Sequence, residues 1–103
     1  MKDYNVIVGN NIKVLRNYRE MSQHDLAVKC GHTTDSARTW ISKIESGKRA
    51  TYTTDIGPIA EALGVLPAVL YVEYNTSDPE QMARRMILYS EMLYEQLIRN
   101  PEE

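Results

Sequence analysis

Between Met21 and Gly47 the chain has room for two short helices and nothing longer, because Gly31 and Gly47 each supply a helix stop. Ser22 is a strong N-cap, and Asp25 three residues later can return the bond, a short-acid form of the capping box. Leu26, Ala27 and Cys30 then share one helical face. Ile41 and Ile44, three apart, mark the apolar side of a second helix that ends at Gly47. Every other segment has to pack around this pair.

The flanks supply the packing. Val8, Ile12 and Leu15 recur at helical spacing, with Lys13, Arg16, Asn17 and Arg19 between or beyond them, which predicts an amphipathic first helix over about Asn5 to Arg19. Past Gly47, Lys48 to Thr54 reads as a polar loop. Asp55 is the expected cap of a fourth helix, with Ile56, Gly57 and Pro58 in its first turn. Ile59, Ala60 and Leu63 should face the core, Gly64 should end that helix, and Pro67 should open a short fifth one bearing Val69 and Leu70. Tyr74 to Ser77 is a brief linker. Asp78-Pro79-Glu80-Gln81 then combines an N-cap, a proline at the first position and a glutamine to close the box. The sixth helix is expected to run to about Arg99, stopped by Asn100-Pro101. On it Met82, Met86, Tyr89, Leu93 and Leu97 fall within an arc of roughly 80°, opposite Glu80, Arg84, Glu91 and Glu95.

At 103 residues this is one domain plus an appendage, and the stretches divide as 1–73 and 78–99. The fold class is all-α: five short helices around one small core, followed by a long C-terminal helix. The lone cysteine, Cys30, excludes an internal disulfide and suits a reducing compartment. No apolar run approaches the ~20 residues of a membrane helix, and Met1-Lys2-Asp3 begins no signal peptide, so the expected location is the cytoplasm. The formal net charge of −2 hides an asymmetry. Residues 1–52 carry nine Lys/Arg against five Asp/Glu, a net of +4, whereas residues 53–103 carry three against nine, a net of −6. One end is suited to phosphates and the other is not. A net of +4 argues against tight non-specific binding by a monomer.

Two short helices about a glycine turn form the helix-turn-helix pattern, whose second helix reads the major groove of DNA. Gly9, Ile12, Leu15 and Arg16, then Ser22-Gln23, Leu26-Ala27, Gly31, Ile41-Ser42-Lys43-Ile44-Glu45, Gly47-Lys48, Ala60 and Leu63-Gly64-Val65, form an ordered set. It resembles the Cro/phage-repressor, or xenobiotic-response-element, family of lambda-repressor-like DNA-binding domains, over roughly Val6 to Tyr71. In one respect the chain departs from that family. Gly31 precedes Ile41 by ten residues, four more than the usual spacing, so His32-Thr33-Thr34-Asp35 lengthens the turn or the start of the reading helix. These residues offer hydroxyls for phosphates and a cap, or else form a tolerated loop insertion.

The resemblance implies roles for particular residues. Base contacts match Arg38, Thr39, Ser42 and Lys43, with Ser36 and Ala37 just before. Arg38 and Lys43 could each reach guanine O6 and N7, and Thr39 a thymine methyl; the bland alternative is that both cations are merely solvated. Phosphate contacts match Gln23, Thr33, Thr34, Lys48 and Arg49. Arg16 and Glu45 correspond to a structural ion pair that fixes the first helix against the third. Trp40, before the core residue Ile41, either packs against helix two or the extra turn residues, or lies on the sugar-phosphate wall.

The C-terminal stripe either enlarges the core or pairs with a second copy. The second reading makes Met82, Met86, Tyr89, Leu93 and Leu97 a dimer interface, because an exposed stripe of this kind is a liability. A two-fold dimer would set two reading helices about 34 Å apart on a palindromic site. The expected function is therefore a DNA-binding transcriptional regulator, a repressor more than an activator, acting as a homodimer on double-stranded DNA. Alternatives are an antitoxin-like regulator whose C-terminal helix binds another protein, and a helix-turn-helix fold used only for assembly. No cofactor or metal is expected: His24, Cys30 and His32 would need a fourth ligand to hold zinc. No phosphate loop or nucleophile elbow suggests catalysis.

Overall fold

Eleven large side chains with almost no exposure fill the space between the helices, among them Ile12, Leu15, Leu26, Ile41, Ile44, Ile59, Leu70 and Met86. In a computed structural model that describes residues 2–99, they come from α1 (Tyr4–Tyr18), α2 (Gln23–Lys29), α3 (Ala37–Glu45), α4 (Thr53–Leu63), a 3-10 helix (Pro67–Tyr71) and α5 (Pro79–Leu93). A π-helical continuation, Tyr94–Arg99, completes the order. Among the described residues there is no strand. The expected stop at Asn100-Pro101 lies outside them.

Local chemistry sets most helix ends. Asp3 caps α1, its carboxylate accepting from the amides of Asn5 (3.0 Å) and Val6 (3.4 Å). At α2 the expected reciprocal box forms: Asp25 N–H donates to Ser22 Oγ at 2.9 Å, and Ser22 N–H donates to Asp25 Oδ2 at 3.0 Å. Those bonds to Ser22 hold the Asp25 carboxyl below the usual carboxylate range. Gly31, at φ 89°, lets the chain turn back so that His32 N–H reaches the carbonyl of Ala27 at 3.0 Å.

Two starts differ from expectation. α4 begins at Thr53, and Asp55 sits in its first turn, returning its carboxylate to the amide of Tyr52 at 3.2 Å. An aspartate can serve at the N-cap or three residues inside it, so sequence alone misplaces the boundary by one short step. Before α5, Asp78 accepts from the amide of Glu80 at 3.1 Å as expected, but its own N–H goes to Thr76 Oγ1 at 3.2 Å. Gln81 accepts from Thr76 instead, at 3.4 Å.

α5 lies against α1 and the 3-10 helix. Met82, Ala83 and Met86 enter the same buried cluster as Ile12 and Leu70. This corrects the assignment of Met82 and Met86 to a dimer interface. Their side chains fill the core of their own chain, each burial stabilising it by roughly 1.5–3 kcal/mol, and they are not available to a second copy. Ser90 extends the contact, its Oγ accepting from the amide of Leu66 at 2.8 Å. Beyond Leu93 the contacts of Tyr94–Arg99 run chiefly to α5 itself.

A buried polar tie joins α1 to the 3-10 helix. Asn11, at the core spacing between Val8 and Leu15, donates through Nδ2 to the carbonyls of Leu70 and Val72, both at 2.9 Å. Tyr74 closes the same corner, donating to the carbonyl of Val69 at 2.6 Å. Burial pushes its phenol up to about 12.

Candidate nucleic-acid interface

The base of α3 is anchored before its outer face is shaped. Arg16 presents a fork to Glu45: Nε donates to Oε2 at 2.6 Å and Nη2 to Oε1 at 3.1 Å, with both side chains buried. Nη1 donates to the carbonyl of Met21 at 2.8 Å, and Gln23 Nε2 donates to Glu45 Oε1 at 3.1 Å. One carboxylate thus ties α1, the start of α2 and α3 together. Gly9 lets the backbones meet; a Cβ there would stand 2.9 Å from the carbonyl oxygen of Glu45 and closer still to that of Ile44. α3 is consequently fixed in depth as well as in angle.

With Ile41 and Ile44 inside, Arg38, Thr39, Ser42 and Lys43 stand exposed on the outer face of α3. Ala37, placed with the base contacts by sequence, is 1% exposed and packs into the core cluster. It precedes Ile41 by four residues and shares its inward face, so no base edge can reach it. Ser36 is exposed and precedes the helix without capping it; its hydroxyl is instead 3.0 Å from that of Thr34. Thr33 and Thr34 are exposed in the turn. The four extra residues therefore lengthen the turn and not the helix.

Trp40 is half-buried, and its ring stacks on His32 with centroids 3.9 Å apart at 31°. The indole thus packs against one of the extra turn residues. Past α3, Lys48 is exposed. Arg49 is half-buried: its Nη2 lies 3.8 Å from Asp55 Oδ2, and its guanidinium sits over the Tyr52 ring at 5.8 Å. Gln23, matched to a phosphate contact, is half-buried with its amide held by Glu45. On the C-terminal stripe, Tyr89 and Leu97 are exposed and Leu93 is half-buried.

Cys30 is half-buried at the end of α2, and burial together with the nearby Asp55 pushes its thiol up to about 11. Among the described residues no group of three or more His, Cys, Asp or Glu converges as a metal site. No helix among them is long and apolar enough to cross a membrane.

Two short helices about a glycine turn, with the second one's polar face outward, find their counterpart in a family model described as a helix-turn-helix domain, which matches residues 7–70. The chain belongs to the helix-turn-helix family. No curated protein and no solved structure matches it. The matched span covers α1 to the 3-10 helix and includes both the Arg16–Glu45 anchor and the outer face of α3. The family is one of DNA-binding regulators, related to the Cro and repressor type.

The resemblance did not reveal the bracing of Glu45 by Gln23, the Asn11 tie or the Arg49–Asp55–Tyr52 cluster. For Asn11 a signal existed: a polar residue at a core position of α1 must find buried partners.

Proposed function

We propose that the chain is a sequence-specific transcriptional regulator, a repressor by occupancy, that binds palindromic operator DNA as a homodimer in the cytoplasm or nucleoid. The observation that carries this reading is the exposed set Arg38, Thr39, Ser42 and Lys43 on a helix whose base is locked by the buried Arg16–Glu45 pair. A major groove admits such a helix, and a rigid base keeps its side chains in register with base edges. Lys48, Thr33 and Thr34 lie around it as phosphate contacts, and residues 1–73 form the DNA-binding unit.

Residues 78–99 carry the dimer contact, displaced toward the C-terminus. With Met82 and Met86 inside and Leu93 half-buried against the core, Tyr89 and Leu97 remain exposed from the stripe, and Met92 and Ile98 are exposed on the same segment. Footprinting on DNA flanking the chain's own gene tests the regulator reading: a protected, two-fold symmetric site is expected. Absence of salt-dependent binding to any duplex would leave only an assembly role. Light scattering on the pure protein tests the dimer. A lone monomer would favour the second reading, in which the same exposed apolar end binds a different protein.

A further inference from the structure

We infer that an acid-rimmed groove between the end of α4 and the last turns of α5 docks a cationic amphipathic segment of another protein, with its apolar side chains inward and its Lys or Arg side chains at the rim. The inference is independent of the DNA-binding reading, because no residue of α3 lines the groove.

The groove encloses about 450 Å³. Its apolar lining is Val65 and Leu66, from the turn after α4, together with the exposed ring of Tyr94. Gly64 turns the chain at φ 79° and adds no side chain to fill the space. The two sides are tied to one another, since Ser90 Oγ accepts from the amide of Leu66 at 2.8 Å. A tie of this kind makes the groove preformed, which lowers the ordering cost of docking. Ser90 is buried, and its hydroxyl proton has no acceptor among the described residues, so it is left for a carbonyl of the occupant.

The rim decides the occupant. Glu61 stands on the α4 side and Glu91 and Glu95 on the other, so three carboxylates border one apolar trough. Glu95 is shared with Arg99 at 2.8 Å, but Glu61 and Glu91 have no ion-pair partner among the described residues. α4 also has no basic residue in its last turn, and the negative end of its dipole lies at Gly64. Arg19, reaching this edge from α1, answers the carbonyl of Leu63 through Nε at 3.0 Å. The remaining excess of negative charge calls for cations from the partner. A second copy does not supply them in a closed pair, because a two-fold contact here would bring the same carboxylates together. A small cation fits less well, since an open-sided trough leaves much of such a ligand in water, whereas amphipathic helices lay an apolar face into grooves of this shape.

The probe is a blocked synthetic peptide of leucine and lysine in helical order, titrated at low salt into the isotope-labelled full chain and followed by amide chemical shifts. Changes are expected at residues 61–66 and 90–95, which line the groove. Glu91→Gln is expected to weaken the peptide by about two- to five-fold, the worth of one partly exposed ion pair. Glu80→Gln, at the opposite end of α5, is expected to leave affinity unchanged. A peptide with glutamate in place of each lysine is expected not to bind. The shifts on the unaltered chain stand even if a variant folds poorly. Equal loss from Glu91→Gln and Glu80→Gln overturns the site, because it means general attraction to an acidic half. Shifts confined to Leu88, Met92 and Leu97 overturn it as well, and so does the absence of any shift. Hexylammonium moving the same amides with the peptide's affinity makes the groove a small-cation site, which rules out the docked segment. Groove amides that shift when the chain alone is diluted mean that a second copy fills the space, and that too overturns the partner. Each of these results leaves the DNA-binding reading intact.

Discussion

The two ends of the molecule hold their helices by opposite means. α3 is only nine residues long, yet a forked ion pair, a glutamine amide and a backbone approach at Gly9 fix its base. α5 is longer, is anchored by Met82, Ala83, Met86 and Ser90, and continues past the core as the exposed segment Tyr94–Arg99. Polar bonds are directional and set an angle, whereas apolar burial sets proximity with more tolerance. Under the proposed reading, the end that meets a fixed lattice of base edges uses the first means. The end that offers apolar side chains such as Leu97, 69% exposed, needs only to be held out.

The largest expected effect breaks the reading end. Glu45→Ala strands the buried guanidinium of Arg16 and should cost about 3–5 kcal/mol in urea unfolding. The double change Arg16→Met, Glu45→Met should recover much of that loss, because no charge is then left unpaired. If the single change cost under 1 kcal/mol (as an exposed pair would), the rigid base of α3 would be lost from the comparison. Next comes the buried half of α5. Met86→Ala removes a fully buried side chain and should cost roughly 2–5 kcal/mol by the same measurement. A near-neutral result would mean that α5 is not part of the core.

How far the sequence discloses these two ends follows from range. Ser22 with Asp25, and Gly31 and Gly47, act on residues within one turn, so the helices they delimit are legible directly. The pairing of Arg16 with Glu45 spans 29 residues and came through family resemblance, not from periodicity. Asn11 bonding Leu70 and Val72 spans about sixty, and nothing local names its partners. The stripe on α5 is legible as a stripe, but periodicity cannot say what covers it, and so it does not separate Met82 and Met86 from Leu97. Ala37 was misplaced for a related reason. Family position puts it beside the base readers, while its place four residues before Ile41 turns it toward the core.

A smaller effect separates reading from folding at the first end. Arg38→Ala leaves the core untouched and should change stability by no more than about 0.5 kcal/mol. On the operator recovered by footprinting it should cost roughly 1–3 kcal/mol of binding and relax preference at one base pair. An equal loss on every sequence would make Arg38 a phosphate contact, and the reading would pass to Thr39, Ser42 and Lys43.

The smallest expected change in stability belongs to the far end and is the most informative about it. Leu97→Glu alters an exposed side chain beyond the core, so the monomer's unfolding free energy should move by no more than about 0.5 kcal/mol. Its mass in solution should nevertheless fall to that of one chain under the dimer reading, because a carboxylate buried against apolar neighbours is expensive. Operator affinity should fall with it, since two linked reading helices gain from effective concentration what one cannot. These outcomes distinguish a surface kept for a partner from one that merely frays. A variant that unfolds more easily would show that Leu97 supports its own chain. A variant with unchanged mass and unchanged operator binding would remove the C-terminal helix from the interface and leave α3 to bind alone, with only the modest positive charge of the first half to hold it.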